Sequence, residues 1–325
     1  MNWHKEVEIQ PLKEKYNRED GIILWGSCFA QEVYEHLRSR LYKVHFSPYG
    51  IMYNPLSMAK GLRNLLMGNA PISEDLFQHQ NLWHSPMHHG SYSAPGQEEA
   101  LQLMQVDFQT QRVAIPETKL WVFTFGTAYI YEWATPPHDI VNNCHRVPAK
   151  YYIRRRASVE EIIEAWKPLI AELTSHNSEV VFTISPIPHY RDGAHQSRVS
   201  KATLLLSIEE LISLPHVHYF PSYEIQIDEL RDYRFYKDDM AHPTKQAVNY
   251  IIERFTQYAL QPMDDIALHW QRILPQLAHR PLSKDPREAT RYYLRLQKEL
   301  EEMYKKAPHP YIKEQLNAID QKLLQ

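Results

Sequence analysis

Two separated stretches of the sequence contain residue types that together could catalyse acyl transfer. Ser27 ends a short apolar run in GIILWGSC, residues 21–28, while DDMAHPT, residues 238–244, contains Asp239 and His242 three positions apart. A serine hydroxyl attacks a carbonyl only when a neighbouring base removes its proton and a third group orients that base. A tight turn with this spacing can put the carboxylate behind the imidazole. We therefore predict Ser27, His242 and Asp239 as a catalytic triad.

Each motif also has a simpler interpretation. Small residues at 26–28 allow a turn to pass close to its neighbours. The chain has 18 histidines, so a D-x-x-H spacing can arise by chance, and Asp239 could instead cap a helix that begins at Pro243. Cys28 could be a thiol nucleophile, although a small side chain after the serine more often packs against the sheet.

The rest of the sequence indicates which elements position these residues. Apolar runs alternate with segments of helical period, and the runs lie at 22–25, 120–125, 180–184 and 217–220. This order predicts an α/β fold, a parallel sheet covered by helices. Ser158 is a predicted N-cap for one covering helix, with Glu161 at capping-box spacing. Ligands of open parallel sheets bind beyond the carboxyl ends of the strands, which is where Ser27 would stand.

We predict a sheet domain at residues 1–265 that contains a long insertion and is followed by a C-terminal extension. Residues 42–119, between the first two apolar runs, form a long insertion rich in aromatic, His and Ser residues. It is either a lid or pocket wall, or a structural subdomain. The C-terminal extension, residues 266–325, contains two helical patterns broken at Pro308-His309-Pro310, as in a helical hairpin. Its charged helices could serve packing or formation of a homo-oligomer.

Composition narrows the class of protein. A chain of 325 residues with 43% hydrophobic residues can bury a sizeable core. The net charge of −3 gives no reason to expect nucleic acid as a partner. We interpret the longest basic run, 154–156, as a solvated helix start, with a phosphate contact as the alternative. No apolar signal segment or membrane span is visible, so a cytoplasmic protein is expected, with Cys28 and Cys144 as free thiols.

The blocks around Ser27 and His242 resemble a known family. GSCFA at 26–30 is the namesake motif of the GSCFA family, which is similar to a branch of the SGNH hydrolase superfamily. The resemblance spans roughly residues 20 to 260 and includes, in the same order, PYGIMYNP, FTFGTAYIYE, NCHRVP, TISPIPHYRDG and DDMAHPT. It implies a three-layer flavodoxin-like (SGNH-type) fold and a serine esterase or acyltransferase for a small O-acyl ester, such as an acylated sugar, without a cofactor.

The resemblance also implies roles for single residues. Ser27 matches the superfamily's nucleophile, with Cys28 replacing the usual acidic residue after it, and Asp239 and His242 match its D-x-x-H pair. The usual oxyanion asparagine has no counterpart after Gly126. Because loss of one such donor costs about 10²- to 10³-fold in rate, this departure implies a slow or specialised enzyme.

Several groups could replace the missing oxyanion donor. The candidates are backbone N–H groups around Ser27, Gly50, the glycine at 126, the Thr127 hydroxyl and Asn143. His189 and Arg191 follow the third apolar run and could bind a carboxylate or phosphate, or could lie on an exposed, proline-stiffened loop. Further candidates for pocket lining or substrate contact are Trp83, His89 and His145.

Two other functions remain open at this point. Histidines that could suggest a metal are His84, His88, His89, His216 and His218, but no H-x-x-x-H motif within a segment of helical period is visible among them. We therefore predict no metal site. The alternative to an enzyme is a non-catalytic module that retains the fold and binds a glycan or nucleotide, which the missing asparagine favours.

Overall fold

The computed structural model describes residues 5–279 and 286–324. Its strands are β1 Gly21–Gly26, β2 Val44–Phe46, β3 Phe77–His79, β4 Leu82–His84, β5 Thr118–Phe125, β6 Tyr129–Trp133, β7 Ile140–Val141, β8 Tyr152–Arg156, β9 Glu179–Ile184 and β10 Val217–Phe220. Its helices are α1 Cys28–Arg38, α2 Pro55–Met67, α3 Gln97–Ala114, α4 Val159–Ser175, α5 Gly193–Leu211, α6 Ser222–Glu224, α7 Lys245–Ala259, α8 Asp265–Ala278, α9 Pro286–Lys306 and α10 Pro310–Leu323.

The central sheet has five parallel strands in the order β10-β9-β5-β1-β2. Counted along the chain within this sheet, the order is 2-1-3-4-5, which is that of flavodoxin-like folds. In this order the direction of winding reverses between β1 and β5. The structure thus confirms the predicted three-layer α/β fold, and its switch point lies beside the end of β1.

Side chains alternate between the two faces of the sheet and build two separate cores. On one face Trp25, Phe123 and Phe182 pack with residues of α2, α4 and α5. On the other face the neighbouring residues Leu24 and Val122 pack with α1 and α7. This alternation follows from the period of two in a strand, and helices on both faces explain why the runs read as continuously apolar.

The four predicted runs coincide with β1, β5, β9 and β10. The short edge strand β2 was not predicted, because three residues give too little pattern to recognise. The predicted helix after Ser158 is confirmed, including its capping box: the Ser158 side chain accepts from the Glu161 N–H, and the Glu161 carboxylate accepts from the Ser158 N–H.

The prediction for the basic run was wrong. Arg154 and its neighbours belong to β8, which pairs with β6 in a small antiparallel sheet of β7, β6 and β8, whereas the next helix begins only at Val159. Cross-strand pairing with the aromatic strand β6 decides this conformation, and the run itself contains no signal for it.

Residues 42–119 contribute to several parts of the molecule. They contain β2, which extends the central sheet, and α2, which covers one face of it. They also contain the hairpin β3–β4 and helix α3. The segment therefore combines covering elements of the main domain with a smaller cluster around Tyr92 and Met104.

The C-terminal helices α8, α9 and α10 share a core that includes Trp270, Leu300 and Ile312. This core extends to Leu41, after the end of α1. The Trp270 indole N–H donates to the Ser39 carbonyl at 2.7 Å, and His309 contacts the Tyr42 carbonyl at 3.1 Å. The helices thus attach to the sheet domain through the turn that follows α1.

Candidate active site

Ser27 lies at the end of β1 and is the N-cap residue of α1. The preceding Gly26 has φ +147°, and a Cβ there would lie 2.5 Å from the Thr124 carbonyl oxygen on β5. Only glycine fits this conformation and this close approach of two backbones. The glycine therefore allows the strand to turn sharply and present Ser27 beyond the carboxyl end of the sheet.

The first amides of α1 remain available next to Ser27. The Ser27 side chain makes no capping hydrogen bond, and within the described part of the chain the N–H groups of Cys28, Phe29 and Ala30 have no acceptor. Unpaired amides and the helix dipole together give a helix N-terminus a partial positive charge. These N–H groups can donate to an oxygen that becomes negatively charged.

His242 and Asp239 form a local pair before α7. The Asp239 Oδ2 lies 2.6 Å from the His242 Nδ1, and its Oδ1 accepts from the N–H groups of Ala241 and His242. These backbone and imidazole hydrogen bonds lower the pKa of Asp239 to about 2. Helix α7 is capped by Thr244 instead, whose side chain accepts from the Ala247 N–H. Asp239 is thus directed at the imidazole and does not cap this helix.

Ser27 and His242 line the same cavity, of about 480 Å³. It opens at the carboxyl ends of β1, β5 and β9, next to the switch point of the sheet. Of the residues proposed for substrate or oxyanion contact, Cys28, Thr127 and His189 also line it, as does Arg191. The fold therefore brings together four of these candidates with the serine and the histidine.

The Ser27 hydroxyl donates to the hydroxyl of Ser185, with the oxygens 3.2 Å apart. No hydrogen bond joins Ser27 to His242 among the described residues. Ser185 follows β9 as Ser27 follows β1, so the two strands that flank β5 each supply a hydroxyl at the carboxyl edge of the sheet. Ser27 is almost completely buried, at 1% exposure. The serine therefore lies at the cavity floor with its proton directed toward Ser185.

Lys201, on α5, lies behind this floor and is fully buried. Its ammonium group donates to the carbonyl oxygens of Gly126 and Ser185, at 2.8 Å each. Burial lowers the pKa of Lys201 to about 7. Lys201 ties the loop after β5 to the loop after β9, which are the two loops that flank the serine.

His189 lines the cavity with its ring set edge-on to Tyr53, at 5.6 Å between centroids. Burial, with smaller effects of the nearby Lys201 and His242, lowers the pKa of His189 to about 4. Its Nε2 is buried without a partner among the described residues, as is the Oδ1 of Asn142, another lining residue. The cavity wall thus contains neutral polar atoms that a ligand could satisfy.

Cys28 is partly exposed at the cavity, and its Sγ lies 3.4 Å from the Tyr53 hydroxyl. Thr127 also reaches the lining, but its hydroxyl pairs with Ser200 at 3.0 Å and accepts from the Tyr129 N–H. The backbone N–H groups of Gly126 and Thr127 both donate to the Tyr53 carbonyl. The loop after β5 therefore offers no spare backbone donor at these two positions.

The other predicted contact residues lie outside the lining. The Gly50 N–H donates to the Ser47 carbonyl, and the Asn143 Oδ1 accepts from the His145 N–H. The His145 ring contacts the Ser85 carbonyl at 2.7 Å. Trp83 pairs with Gln78 across the β3–β4 hairpin, and His89 caps a short turn through Ser91. The partners of each residue hold it in the segment before β5 or in the β7–β8 loop, away from the lining of this cavity.

Sequence reasoning missed several lining residues. Asn142 is one position before the predicted Asn143, and its amide nitrogen donates to the carbonyls of Ile51 and Met87. Two strands of the small sheet, β6 and β8, supply Tyr129, Tyr131 and Arg154. Ser185 had a detectable signal, since it is the first residue after a predicted strand. The lining residues of the small sheet had no such signal in the sequence, because its strands come to face the cavity only after they pair in the folded protein.

No group of three or more His, Cys, Asp or Glu side chains in the described ranges is arranged to hold a metal ion. None of the helices in those ranges combines the length and apolar character needed to cross a bilayer. His216 and His218, the histidines near β10, each contact the carboxylate of Glu179.

The sequence model described as the GSCFA family matches residues 21–255. The matched region begins with β1 and ends within α7, so it contains the whole cavity floor and the His242–Asp239 pair. The chain therefore belongs to the GSCFA family. No curated protein matches it.

Proposed function

From this family membership, we propose that the protein is a serine esterase or acyltransferase of the SGNH type, acting on a small O-acyl ester such as an acylated sugar. The observation that carries the proposal is the shared cavity. Ser27 follows the first strand, and the His242–Asp239 pair comes more than 200 residues later, yet Ser27 and His242 both line this cavity. A nucleophile, a base and its orienting carboxylate at one sheet edge are the parts that acyl transfer needs.

In the proposed reaction the Ser27 oxygen bonds to the acyl carbon while His242 Nε2 takes the serine proton. The carbonyl oxygen becomes negative and accepts from the free amides at the start of α1, which compensate for the missing asparagine. Breakage of the ester C–O bond then releases the alcohol, which receives the proton from His242. Water or a second alcohol resolves the acyl-enzyme by the same steps in reverse.

The reaction requires Ser27 to turn from Ser185 to His242. Rotation about the Cα–Cβ bond of serine exchanges staggered positions and so redirects the hydroxyl. Asp239 holds the Nδ1 side of the imidazole, which leaves Nε2 as the basic nitrogen. Catalytic hydrogen bonds often form only in the substrate complex.

The second candidate is a binding module without catalysis. The hydrogen bond from Ser27 to Ser185 favours it, because a serine engaged in this way serves as a structural polar group. In this case the cavity would bind a glycan or a nucleotide, and His242 would be one of several polar contacts.

Covalent labelling with a fluorophosphonate probe separates the two candidates. We expect one adduct per chain by intact mass, located at Ser27 by peptide mapping and absent from Ser27→Ala. Ser175→Ala, at an exposed helical serine, is the matched control and should label like the parent protein. An unlabelled but folded protein would contradict the proposed enzyme and support the binding module.

The base is tested with His242→Asn. Removal of a general base typically costs roughly 10²- to 10⁴-fold, so we expect labelling to slow by that factor. The exposed His195 provides the control His195→Asn. If both variants label at the parent rate, His242 is not the base.

A further inference from the structure

We propose that the substrate carries an oxyanion, a carboxylate or phosphate, which Arg191 binds at the cavity mouth. This inference rests on the proposed function of the cavity and concerns the part of the substrate away from the ester. It arises from one wall of the cavity, the tyrosine-arginine wall, formed by Tyr129, Tyr131 and Arg154 of the small sheet with Tyr190 and Arg191 after β9.

The lining is unbalanced in charge. It contains two arginines and no aspartate or glutamate among the described residues. Two carboxylates that contact lining residues are already engaged: Asp239 holds His242 from outside the lining, and Asp192 binds Arg154. A wall with this composition attracts a negatively charged group and disfavours a cationic one.

Arg154 has a structural role in the wall. Its two terminal nitrogens donate to the two oxygens of Asp192, at 2.7 and 2.6 Å. Its guanidinium also lies 4.0 Å from the centroid of the Tyr129 ring. The charge of Arg154 is therefore compensated, and its planar group is fixed between the carboxylate and the ring.

Arg191 has no such compensation. Its guanidinium contacts the Tyr131 side chain, with one nitrogen donating to the hydroxyl and the carbon 5.7 Å from the ring centroid. Within the described ranges it makes no ion pair. Because a guanidinium has five N–H donors in a planar fork, the donors that remain match the two oxygens of a carboxylate or phosphate. Tyr131 holds this fork at the cavity and leaves its charge free.

A matched pair of aryl acetates tests the inference. The pair is 4-acetoxybenzoate, which carries a carboxylate, and its neutral methyl ester, with release of the phenol as the readout. The measured quantity is the ratio of kcat/KM for the charged ester to that for the neutral ester. Taking this ratio in each variant removes the difference in leaving-group reactivity.

We expect Arg191→Gln to lower this ratio about 10- to 100-fold through a higher KM for the charged ester, as loss of a charge-assisted contact predicts. Arg191→Lys should retain part of the preference, because it keeps the charge and loses the fork. Arg156→Gln removes an exposed charge from the end of β8 outside the cavity and should not change the ratio. An unchanged ratio in Arg191→Gln would overturn the inference.

Binding measurements keep this test independent of turnover. Calorimetric titration of the Ser27→Ala variant with 4-hydroxybenzoate and with inorganic phosphate should show binding that weakens with Arg191→Gln and with added salt. The neutral 4-hydroxybenzamide should show no dependence on Arg191. If neither ester is hydrolysed but anion binding depends on Arg191, the esterase proposal fails and the anion site stands. If neither anion binds through Arg191, the anion site is refuted whatever the turnover.

Discussion

The two sides of the cavity are built in different ways. On the sheet side, Ser27 and Ser185 are buried at strand ends and are fixed by the core beneath them. On the loop side, the His242 side chain is 50% exposed and is held by Asp239, three residues earlier. Ser27 is therefore positioned by the whole fold, whereas His242 is positioned by one short turn. Damage to the first side should mainly cost stability, and damage to the second should mainly cost activity.

The largest expected effect is on the loop side. Asp239→Asn keeps the size of the side chain but loses the charge that stabilises the imidazolium, and it can hold the wrong tautomer. We expect esterase activity to fall roughly 10³- to 10⁴-fold, with only a small decrease in the unfolding midpoint in urea, because the carboxylate also accepts hydrogen bonds in the folded state.

Asp238→Asn at the adjacent position is the matched control and should retain activity. Because the pKa of Asp239 is lowered to about 2, this carboxyl stays charged at every pH above about 4. We therefore compare the fall in activity on acidification from pH 8 to 5 in the parent protein and in Asp239→Asn. An equal fall in both proteins would contradict the role assigned to the His242–Asp239 pair.

The second effect is on the sheet side. Gly26→Ala forces a Cβ to within 2.5 Å of the Thr124 carbonyl oxygen and strains φ at +147°. We expect a loss of about 3 kcal/mol or more in the free energy of unfolding. Gly90→Ala is the control, because nothing lies within 4 Å of a Cβ there. Equal stabilities of the two variants would refute the fixed geometry of the β1–β5 edge.

The third effect is a pH dependence from Lys201 beneath the serine. Its pKa is lowered to about 7 by burial, so between pH 7 and its ordinary value near 10.5 the unfolded chain binds the additional proton. The contribution of Lys201 to stability therefore rises with pH in this window. The free energy of unfolding of the parent, relative to Lys201→Met, should increase by about 2 kcal/mol between pH 7 and 9.

The exposed Lys167 supplies the control, Lys167→Met, for which the difference from the parent should not vary with pH. If the free energy of unfolding of the parent, relative to that of Lys201→Met, falls as the pH rises, the ammonium is stabilised in the folded state. That result would be contrary to the burial of this group.

The smallest effect is expected at Cys28. Its sulfur contacts the Tyr53 hydroxyl, and the serine before it is the proposed nucleophile. Cys28→Ala should therefore change esterase activity by less than about fivefold, or less than 1 kcal/mol. Loss of fluorophosphonate labelling in this variant, with labelling retained in Ser27→Ala, would instead assign the nucleophile to the thiol.

The sequence predicted local features of the site better than distant ones. The Asp239–His242 contact follows from a three-residue spacing, and the position of Ser27 follows from the end of an apolar run. Asn142 and Asn143 illustrate the limit, because adjacent residues in an irregular loop point in different directions and only one reaches the cavity. The same holds for Arg154, which was assigned to a helix start and lies in a strand.

The sequence by itself determined the α/β class, the main strands, the capped helix after Ser158 and the candidate nucleophile, base and carboxylate. These features depend on the local period of apolar residues, on local turns and on side-chain chemistry, all of which can be read from the amino-acid sequence. Tertiary structure alone decided that Ser27 pairs with Ser185, that Lys201 lies behind them, and that a tyrosine-arginine wall closes one side. Those contacts join residues from separate strands and helices, and their energies depend on burial and pairing that exist only after the chain has folded.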